Sequence, residues 1–408
     1  MNQTRIFLFF AWLFVAYLVW DAWTKDAATP PPAPAATVPG VDTGAGPALS
    51  AIPDQGEAPV PAIPGIPVDP GSEAPVPATA APSSSVHYVL ATDVLRLRID
   101  AAGGAVRGAE LLAYRQTSDP TSPPVALLST DPAVYHVAEL DLVTTAGPGL
   151  GVAPVFSSVD GRREFLLAEG QDRIEARLAW RDDSGLEVVR TYALERGSYA
   201  LTVRDEIRNN AGEAWVGYPA RKLERVPPIV RGGSFTNPEA LSFAGATWHS
   251  PQERYNKIKF DNFRKEAPLD RTVAGGWIAM QQHHFLSAWV PNAEDSALVR
   301  IASAGNRFQV SALGPQAQVA PGASRVTESQ LWIGPKLQNE MAAVAPGLEL
   351  TVDYGIFTIL SKPLHWVLSL LYSVFGNWGW SIIGLVVLIK LIFFKLSEIQ
   401  YKSFARMR

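Results

Sequence analysis

The chain has 408 residues, a net charge of −4 at neutral pH and no cysteine. The lack of cysteine excludes disulfides, thiolate zinc sites and cysteine nucleophiles. The slightly acidic balance gives no support for nucleic-acid binding, which favours a basic patch. Charged residues make up only 18% of the chain, against about 25% in typical soluble domains. This deficit indicates a chain that lies partly in a membrane.

The first predicted element is an apolar segment near the N-terminus. Ile6–Trp20 is a run of 15 consecutive hydrophobic residues. A bilayer core of about 30 Å needs roughly 17–25 helical residues, so the run with its flanks is near the short end of adequate. We predict a transmembrane anchor over 5–24, with 1–4 in the cytoplasm. The alternative is a cleaved signal peptide, because small residues such as Ala33 and Ala35 follow.

Residues 25–85 are dominated by Pro, Ala, Gly, Val and Ser, and the hexapeptide "EAPVPA" occurs twice. Such a composition cannot bury a core and favours extended, polyproline-like conformations. We therefore predict a semi-stiff periplasmic tether. A protein-binding role for its PxxP-like pieces is the alternative.

From Val86 onward, apolar and polar residues alternate with a period of two, which is typical of strands that cover a core with one face. The pattern is clear in "DVLRLRID" (Asp93–Asp100), and Ala101–Gly104 then predicts a turn. It recurs in Glu187–Leu194, Ser198–Ile207, His284–Val290, Ser296–Ala302 and Leu348–Gly355. We predict one large all-β sandwich over 86–355, with a single helix near its end in "GPKLQNEMAAVA" (Gly334–Ala345).

A second helix is predicted over 356–376. Ser361 can cap it, and Pro363 is tolerated in a first turn. The polar residues fall at three- and four-residue steps on an otherwise apolar surface: Lys362, His365, Ser369, and Tyr372 or Ser373. This pattern favours an amphipathic helix in the membrane interface. A buried helix of the sandwich domain is the alternative.

The last predicted span covers 377–395 and contains "LVVLIKLIFF". Basic residues follow it, so the positive-inside rule places 396–408 in the cytoplasm as the start of a further helical region. Two crossings then put the sandwich outside and the N-terminus inside. Trp378 and Trp380 stand at the outer end of the span, where tryptophan anchors helices to the interface.

Lys390 lies within this span. A lysine at the centre of a membrane helix costs about 2.5–3.5 kcal/mol on insertion-derived scales, so its presence needs a reason. One explanation is that its long side chain snorkels to the cytoplasmic interface. The other is that it faces a hydrated groove.

Other polar and aromatic residues give weaker hypotheses. We expect His283 and His284, adjacent on a predicted strand, to point to opposite faces and to be structural, with no shared metal. Trp277 and Trp289 are predicted to lie in the core. We therefore assign no catalytic residue, no metal site and no cofactor.

Several long motifs in order carry a family resemblance. "GNWGWSII" (Gly376–Ile383), leading to "QYKSFARMR" (Gln400–Arg408), resembles the start of the insertase core of the YidC/Oxa/Alb family. "TDVLRLRIDAAGGAV", "GGWIAMQQHHFLSAWVP" and "PKLQNEMAAVAPGLELTVDYG" are similar to the periplasmic domain of the Gram-negative YidC type. The resemblance covers almost everything except the tether.

The resemblance implies a non-enzymatic, multi-pass protein of the bacterial inner membrane with a periplasmic β-supersandwich. Its implied partners are nascent integral membrane proteins, the Sec translocon with its accessory subunits, and the lipid bilayer. It also implies that Lys390 faces a water-filled groove that receives the substrate.

This sequence departs from the family at three places. Lys390 stands where an arginine is usual, so the charge is kept but a planar bidentate donor is lost. Lys395 stands where a proline is expected, which puts the local helix geometry in doubt. The family continues through further spans beyond the position of Arg408, so we expect a fragment or a truncated reading frame that does not insert proteins unaided.

Two other functions stay open on the residues. A large β-sandwich of this kind also resembles sugar-processing epimerase folds, which need a carboxylate and a histidine converging in a cleft. An envelope tether with a membrane anchor and a Pro-rich arm is the second alternative, although a C-terminal span argues against it.

Overall fold

The alternating segments form a two-sheet sandwich. The structure is a computed structural model, and it describes residues 86–117, 119–144, 154–229, 242–252, 254–266, 269–352 and 358–406. In these ranges the strands are β1 (His87–Ala91), β2 (Leu95–Asp100), β3 (Val106–Arg115), β4 (Pro124–Leu128), β5 (His136–Thr144), β6 (Ser157–Ser158), β7 (Glu164–Leu166), β8 (Arg173–Arg181), β9 (Leu186–Glu195), β10 (Ala200–Asn209), β11 (Trp215–Arg225), β12 (Gly245–Ser250), β13 (Arg254–Lys259), β14 (Leu269–Ala274), β15 (Trp277–Gln281), β16 (Phe285–Pro291), β17 (Ser296–Ala304), β18 (Arg307–Leu313), β19 (Ala317–Val319) and β20 (Ser324–Pro335).

The strands form two sheets. The first has 11 strands in the order β14-β17-β18-β11-β5-β3-β2-β1-β7, with β19 paired to β11 and β4 paired to β3. The second has nine strands in the order β13-β12-β15-β16-β20-β10-β9-β8-β6. Neighbouring strands are antiparallel except for the short parallel pair β1–β7. The prediction of one large all-β sandwich is confirmed.

One large apolar cluster fills the sandwich, beside a small second cluster of Tyr135, Val137 and Val226. In β2 the side chains of Leu95, Leu97 and Ile99 are fully buried, whereas Arg96 and Arg98 between them are exposed. Burying such aliphatic side chains stabilises the fold by about 1.5–3 kcal/mol each. Trp277 and Trp289 are buried in the same cluster, as predicted.

One charged side chain crosses the core and joins the two sheets. Arg190 on β9 donates from Nε and Nη2 to the two carboxylate oxygens of Asp205 on β10, at 2.7 and 2.9 Å. Its Nη1 donates across the sandwich to the carbonyl oxygens of Leu140 on β5, at 2.8 Å, and of Gly103, at 3.0 Å. Burial alone would lower the pKa of Arg190, but Asp205 beside it raises that pKa above the ordinary value. The guanidinium is therefore charged and fully engaged in the core.

The β2–β3 turn is shaped to receive this arginine. Gly103 and Gly104 both have positive φ angles, as the predicted turn requires. A Cβ on Gly104 would lie 2.7 Å from the Tyr192 hydroxyl and 2.9 Å from Nη1 of Arg190, so only glycine fits. Tyr192 donates its hydroxyl to the Gly104 carbonyl, and burial raises the pKa of Tyr192 to about 12. The turn is thus fixed to the opposite sheet.

Four α-helices lie in the described ranges: α1 (Phe263–Glu266), α2 (Gln338–Val344), α3 (Thr358–Phe375) and α4 (Trp378–Arg406). The helix predicted over Gly334–Ala345 is confirmed as α2, but it begins at Gln338 because Gly334 and Pro335 complete β20. The prediction that Ser361 caps the next helix is wrong. Because no helix breaker lies between Thr358 and Ser361, α3 begins three residues earlier and Pro363 lies inside it.

The strand predicted over Leu348–Gly355 is also wrong where it is described. Leu348–Thr351 forms a short 3₁₀ helix. Gly347 turns the chain with a φ of 81°, and the Thr351 hydroxyl closes the turn by donating to the Leu348 carbonyl at 2.7 Å. The segments predicted over 1–4, 5–24 and 25–85 lie outside the described residues.

Replacing Asp205 by leucine should lower the free energy of unfolding by about 3–5 kcal/mol, because Arg190 would remain buried without its counter-charge. Chemical denaturation of the purified chain, followed by tryptophan fluorescence, measures this loss. The matched control is Glu110→Leu, which removes the partner of Arg96 from an exposed pair at 3.0 Å. The control should cost less than about 1 kcal/mol. Equal losses for the two variants would contradict the special role of the buried pair.

Candidate functional site

The candidate site lies on the helix pair that follows the sandwich. Helix α3 ends at Gly376, whose φ of 62° reverses the chain and whose N–H donates to the Tyr372 carbonyl at 2.8 Å. Asn377 then begins α4, because its side-chain oxygen accepts from the backbone N–H of Gly379 at 2.8 Å and of Trp380 at 3.4 Å. A glycine terminator and an asparagine N-cap in sequence give two helices with a minimal connection.

The two helices pack against each other near this connection. The rings of Tyr372 and Trp378 stack, with centroids 4.0 Å apart and an angle of 15° between the planes. Further along, a Cβ on Gly384 would lie 3.3 Å from Phe375 and 3.6 Å from Leu371, so α4 presents a small residue where α3 crosses it. Small residues at such crossings allow close approach of membrane helices. The sequence analysis missed Gly384, although a glycine inside an apolar run was the available signal.

Helix α4 is the candidate membrane span. Over the described ranges, Trp378–Lys395 is the one helical window long and apolar enough to cross a bilayer, with a mean hydropathy of 1.8. Its 18 residues rise about 27 Å at 1.5 Å each, close to the thickness of the hydrocarbon core. Helix α4 continues beyond Lys395 to Arg406 without a break, so lysine in place of the expected proline leaves the helix continuous.

Lys390 is exposed and lies on the side of α4 away from α3. It follows the buried Ser381 by nine residues, about two and a half turns, which places the two on opposite sides of the helix. The position is about 18 Å along the axis from Trp378 and about 7.5 Å before Lys395. Lys390 is thus well inside the apolar window and nearer its C-terminal end.

The stripe of α4 that contains Lys390 changes character along its length. Toward the N-terminus, Val386 and Val387 precede Lys390 by one turn and are exposed and apolar. Toward the C-terminus, Ser397 and Tyr401 follow at seven and eleven residues, on the same side of the helix. Phe393 and Phe394, at three and four residues on the same side, are exposed and apolar, so polar side chains return on this stripe from Ser397 onward.

Beyond the apolar window α4 becomes a charged helix. Glu398 contacts Lys402 at 2.6 Å and Lys395 at 3.5 Å, one turn away on either side. Such pairs stabilise an exposed helix by about 0.2–0.5 kcal/mol each. This arrangement is typical of a helix that has emerged into water.

Trp378 and Trp380 both lie in the first turn of α4 and are exposed. Trp378 packs one ring face on Tyr372, whereas its large exposed surface is available to the surroundings. An indole at the end of an apolar window has its ring and its N–H in the place where a bilayer changes from apolar to wet.

The structure corrects the expectation for the adjacent histidines. His283 and His284 lie in the turn between β15 and β16, not on a strand, and their rings are 4.0 Å apart instead of on opposite faces. The physical reason is that the alternation of side chains across a strand does not hold in a turn. Among the described residues, no group of three or more His, Asp or Glu side chains is placed to hold a metal ion.

Comparison with known proteins identifies the family. A family model of the YidC periplasmic domain matches residues 87–367. Two curated proteins named membrane protein insertase YidC, from Stenotrophomonas maltophilia and Xanthomonas euvesicatoria, are 41% and 43% identical. Each alignment covers all of this chain and 71% of the relative.

Among solved structures, the chain is similar to a galactose mutarotase related enzyme from Lactobacillus acidophilus at 11% identity and a TM-score of 0.41. That alignment covers 60% of this chain and 97% of the other. At this score the likeness supports no assignment of activity.

The β-sandwich matches the periplasmic domain of membrane protein insertases and is followed by an apolar helix long enough to cross a bilayer, so the chain falls in the insertase class. This chain belongs to the YidC family of membrane protein insertases.

Replacing Asn377 by alanine should loosen the first turn of α4, because the backbone N–H groups of Gly379 and Trp380 lose their acceptor. A cap of this kind is worth about 1 kcal/mol, so amide exchange at these two positions should become about fivefold faster. Asn377→Asp keeps the acceptor and serves as the control. Unchanged exchange in Asn377→Ala would show that the cap does not hold the turn.

Proposed function

We propose that this chain is a multi-pass inner-membrane insertase in which Lys390 is a fixed positive charge for polar parts of the substrate. The activity is supported by the whole-chain similarity to proteins named membrane protein insertases. The observation that carries the role of Lys390 is its position: an exposed charged residue inside the apolar window that faces away from α3.

The proposed topology follows from charge and length. The N-terminus and the helix beyond Lys395 lie in the cytoplasm, the sandwich lies in the periplasm, and 5–24 and 377–395 cross the membrane. Trp378 and Trp380 are then the interface anchors at the periplasmic end of α4. The basic residues after Phe394 support this orientation.

We place α3 in the membrane interface. Its apolar part, Pro363–Phe375, rises only about 20 Å and is too short to span the core. Trp366, Leu370 and Val374 form an exposed apolar stripe at four-residue steps, which suits contact with acyl chains. The hydroxyls of Ser369 and Ser373 donate to backbone carbonyls of their own helix at 2.9 and 2.7 Å, so they do not enter the interface unsatisfied.

The chemistry asked of Lys390 is electrostatic and involves no covalent step. An acidic residue at the centre of the bilayer costs about 2.5–3.5 kcal/mol, whereas each apolar residue of the substrate segment returns about 0.3–0.6 kcal/mol. An opposite charge at 4 Å in a partly hydrated site is worth about 4 kcal/mol before desolvation. Lys390 can therefore offset most of the cost of holding an acidic tail partway across, while burial of the apolar segment supplies the driving force.

The substrates in this proposal are nascent integral membrane proteins, inserted by the full-length protein alone or beside the Sec translocon and its accessory subunits. Support for the substrates comes from the names of the relatives. Support for the translocon comes from the family resemblance of the motifs.

The topology predicts where single introduced cysteines react, and the native chain has none to interfere. Asp160→Cys, on an exposed loop of the sandwich, should react with an impermeant maleimide on intact spheroplasts. Lys402→Cys should react only after the membrane is permeabilised. Labelling of both, or of Lys402→Cys alone, in intact spheroplasts would refute the orientation.

Lys390→Ala in the full-length protein should reduce insertion of a reporter with acidic residues in its translocated tail by about tenfold or more, if the pair is worth more than 1.4 kcal/mol. Insertion of the same reporter with a neutral tail should change little. Protease protection of the translocated tail measures both reactions.

Two controls test whether the effect belongs to position 390. Lys390→Arg keeps the charge and should retain activity. Lys395→Ala removes an exposed lysine five residues away on the same helix and should also retain activity. Equal insertion of acidic-tail and neutral-tail reporters by Lys390→Ala would leave the lysine with a snorkelling role only.

A further inference from the structure

The outer face of the nine-stranded sheet is covered at one place by the segment that leads toward α3. Thr247, Ala279, Ala288 and Trp332 lie side by side on β12, β15, β16 and β20, and all four are buried. Residues in register on antiparallel strands share a face. We call Gln338–Thr351, which contains α2 and the following 3₁₀ helix, the strap.

Two points of contact show that the strap lies on this face. His249 and Trp277 are two residues from Thr247 and Ala279 on their strands, and therefore point the same way. Gly347 of the strap lies against the His249 ring, since a Cβ on Gly347 would be 2.5–2.8 Å from its atoms. The Trp277 indole donates to the Pro346 carbonyl at 3.2 Å.

The two rings form one seat for the strap. His249 stacks on Trp277 with centroids 5.7 Å apart and an angle of 11° between the planes. Gly347 approaches the outer side of this stack with a φ of 81°, so both its conformation and its missing side chain are needed. The stack with Trp277 restricts the movement of the imidazole.

The rest of the strap is packed into the core through Met341, Ala345 and Leu348, which are buried in the main apolar cluster. Helix α2 has only seven residues and no side-chain hydrogen bond at its N-cap, so it is too short to be stable alone. A cleft of about 380 Å³ separates part of the strap, Val344–Pro346, from residues of the sheet that include Trp277 and Gln330. The ring stack acts together with this burial and fixes the turn at Gly347 on the sheet.

Several polar atoms at the contact favour its opening. Thr247 Oγ1, His249 Nδ1, Gln281 Oε1, Trp332 Nε1 and Glu349 Oε2 are buried and have no hydrogen-bond partner among the residues that the structure describes. Such atoms disfavour a closed apolar contact, because water bonds to them once they are exposed. The contact of Gly347 with the two rings therefore holds the strap on the sheet although hydration of these polar atoms favours opening.

The position of the strap limits where the membrane helices can begin. Six residues, or seven Cα–Cα steps, separate Thr351 from Thr358, the first residue of α3. A fully extended chain of that length reaches at most about 25 Å. A displaced strap thus changes how the sandwich stands relative to α3.

We propose that His249 and Trp277 are positioning residues for insertion: by seating Gly347 they fix the strap, and through it the start of α3. The inference rests on the proposed insertase function. It assigns the sandwich a task in the reaction that does not require it to contact the substrate.

Gly347→Ala in the full-length protein tests the seat, because the new methyl group meets the His249 ring. The matched control is Gly170→Ala, at a φ of 79° with open space around the Cβ, so the backbone strain is the same and the collision is absent. Reporter insertion should fall severalfold in Gly347→Ala and stay near normal in Gly170→Ala. Equal insertion by the two variants would overturn the proposal.

A crosslink separates positioning from a loss of folding. Gln330→Cys and Val344→Cys, on the two sides of the cleft, are joined by a bismaleimide that spans it; the chain has no other cysteine. Crosslinking should restore insertion by Gly347→Ala, since the strap is reseated. A crosslinked protein that stays inactive would refute positioning.

Trp277→Phe is the milder variant if Gly347→Ala does not fold. It keeps a ring beside His249 but removes the hydrogen bond to Pro346 and part of the buried indole, so insertion should fall and be restored by the same crosslink. Normal insertion before crosslinking would count against the proposal. If the unsubstituted protein inserts no reporter, the proposed function itself fails, which is a distinct result.

Discussion

The buried guanidinium of Arg190 is the interaction on which the sandwich depends. It has five N–H donors, and four of its bonds end on acceptors from both sheets: the two oxygens of Asp205 on its own sheet and the carbonyls of Leu140 and Gly103 on the other. Apolar side chains slide past one another at little cost, whereas a planar fork fits its acceptors in one geometry. The pair therefore fixes how the sheets are placed over each other, while the surrounding apolar cluster supplies most of the stability.

The helix pair α3 and α4 satisfies its polar groups within its own backbone and side chains. Asn377 caps the first turn of α4, and the hydroxyls of Ser369, Ser373 and Ser381 donate to carbonyls of the preceding turn or of the cap. Helices that satisfy their polar groups internally in this way suit surroundings without water. Lys390 differs from these groups, because it is a charge exposed inside the apolar window and α4 itself offers it no described partner. The proposed groove gives that charge water and an acidic partner. The strap lies in the chain between the sandwich and these helices.

Most of the architecture could be predicted because it depends on local patterns. Alternation in Asp93–Asp100 places the apolar residues of β2 in the core, and one apolar window predicts α4. The errors occur where a single residue outweighs the pattern. Leu348–Gly355 alternates like a strand, but Gly347 turns the chain before a strand can begin. His283 and His284 were expected on opposite faces, yet they lie in the turn before β16, where alternation does not apply.

By itself, the sequence determined the class of protein, the sandwich, the apolar helix and the candidate lysine, because composition, periodicity and motif order are properties of neighbouring residues. Only the tertiary structure decided that Arg190 spans the two sheets, that Gly384 is the crossing point of α3 and α4, and that His249 receives Gly347 from 98 positions further along the chain. These contacts join residues that are distant in the sequence. No local pattern encodes which of many buried arginines, glycines and histidines will meet, since that choice belongs to the packing of the whole domain.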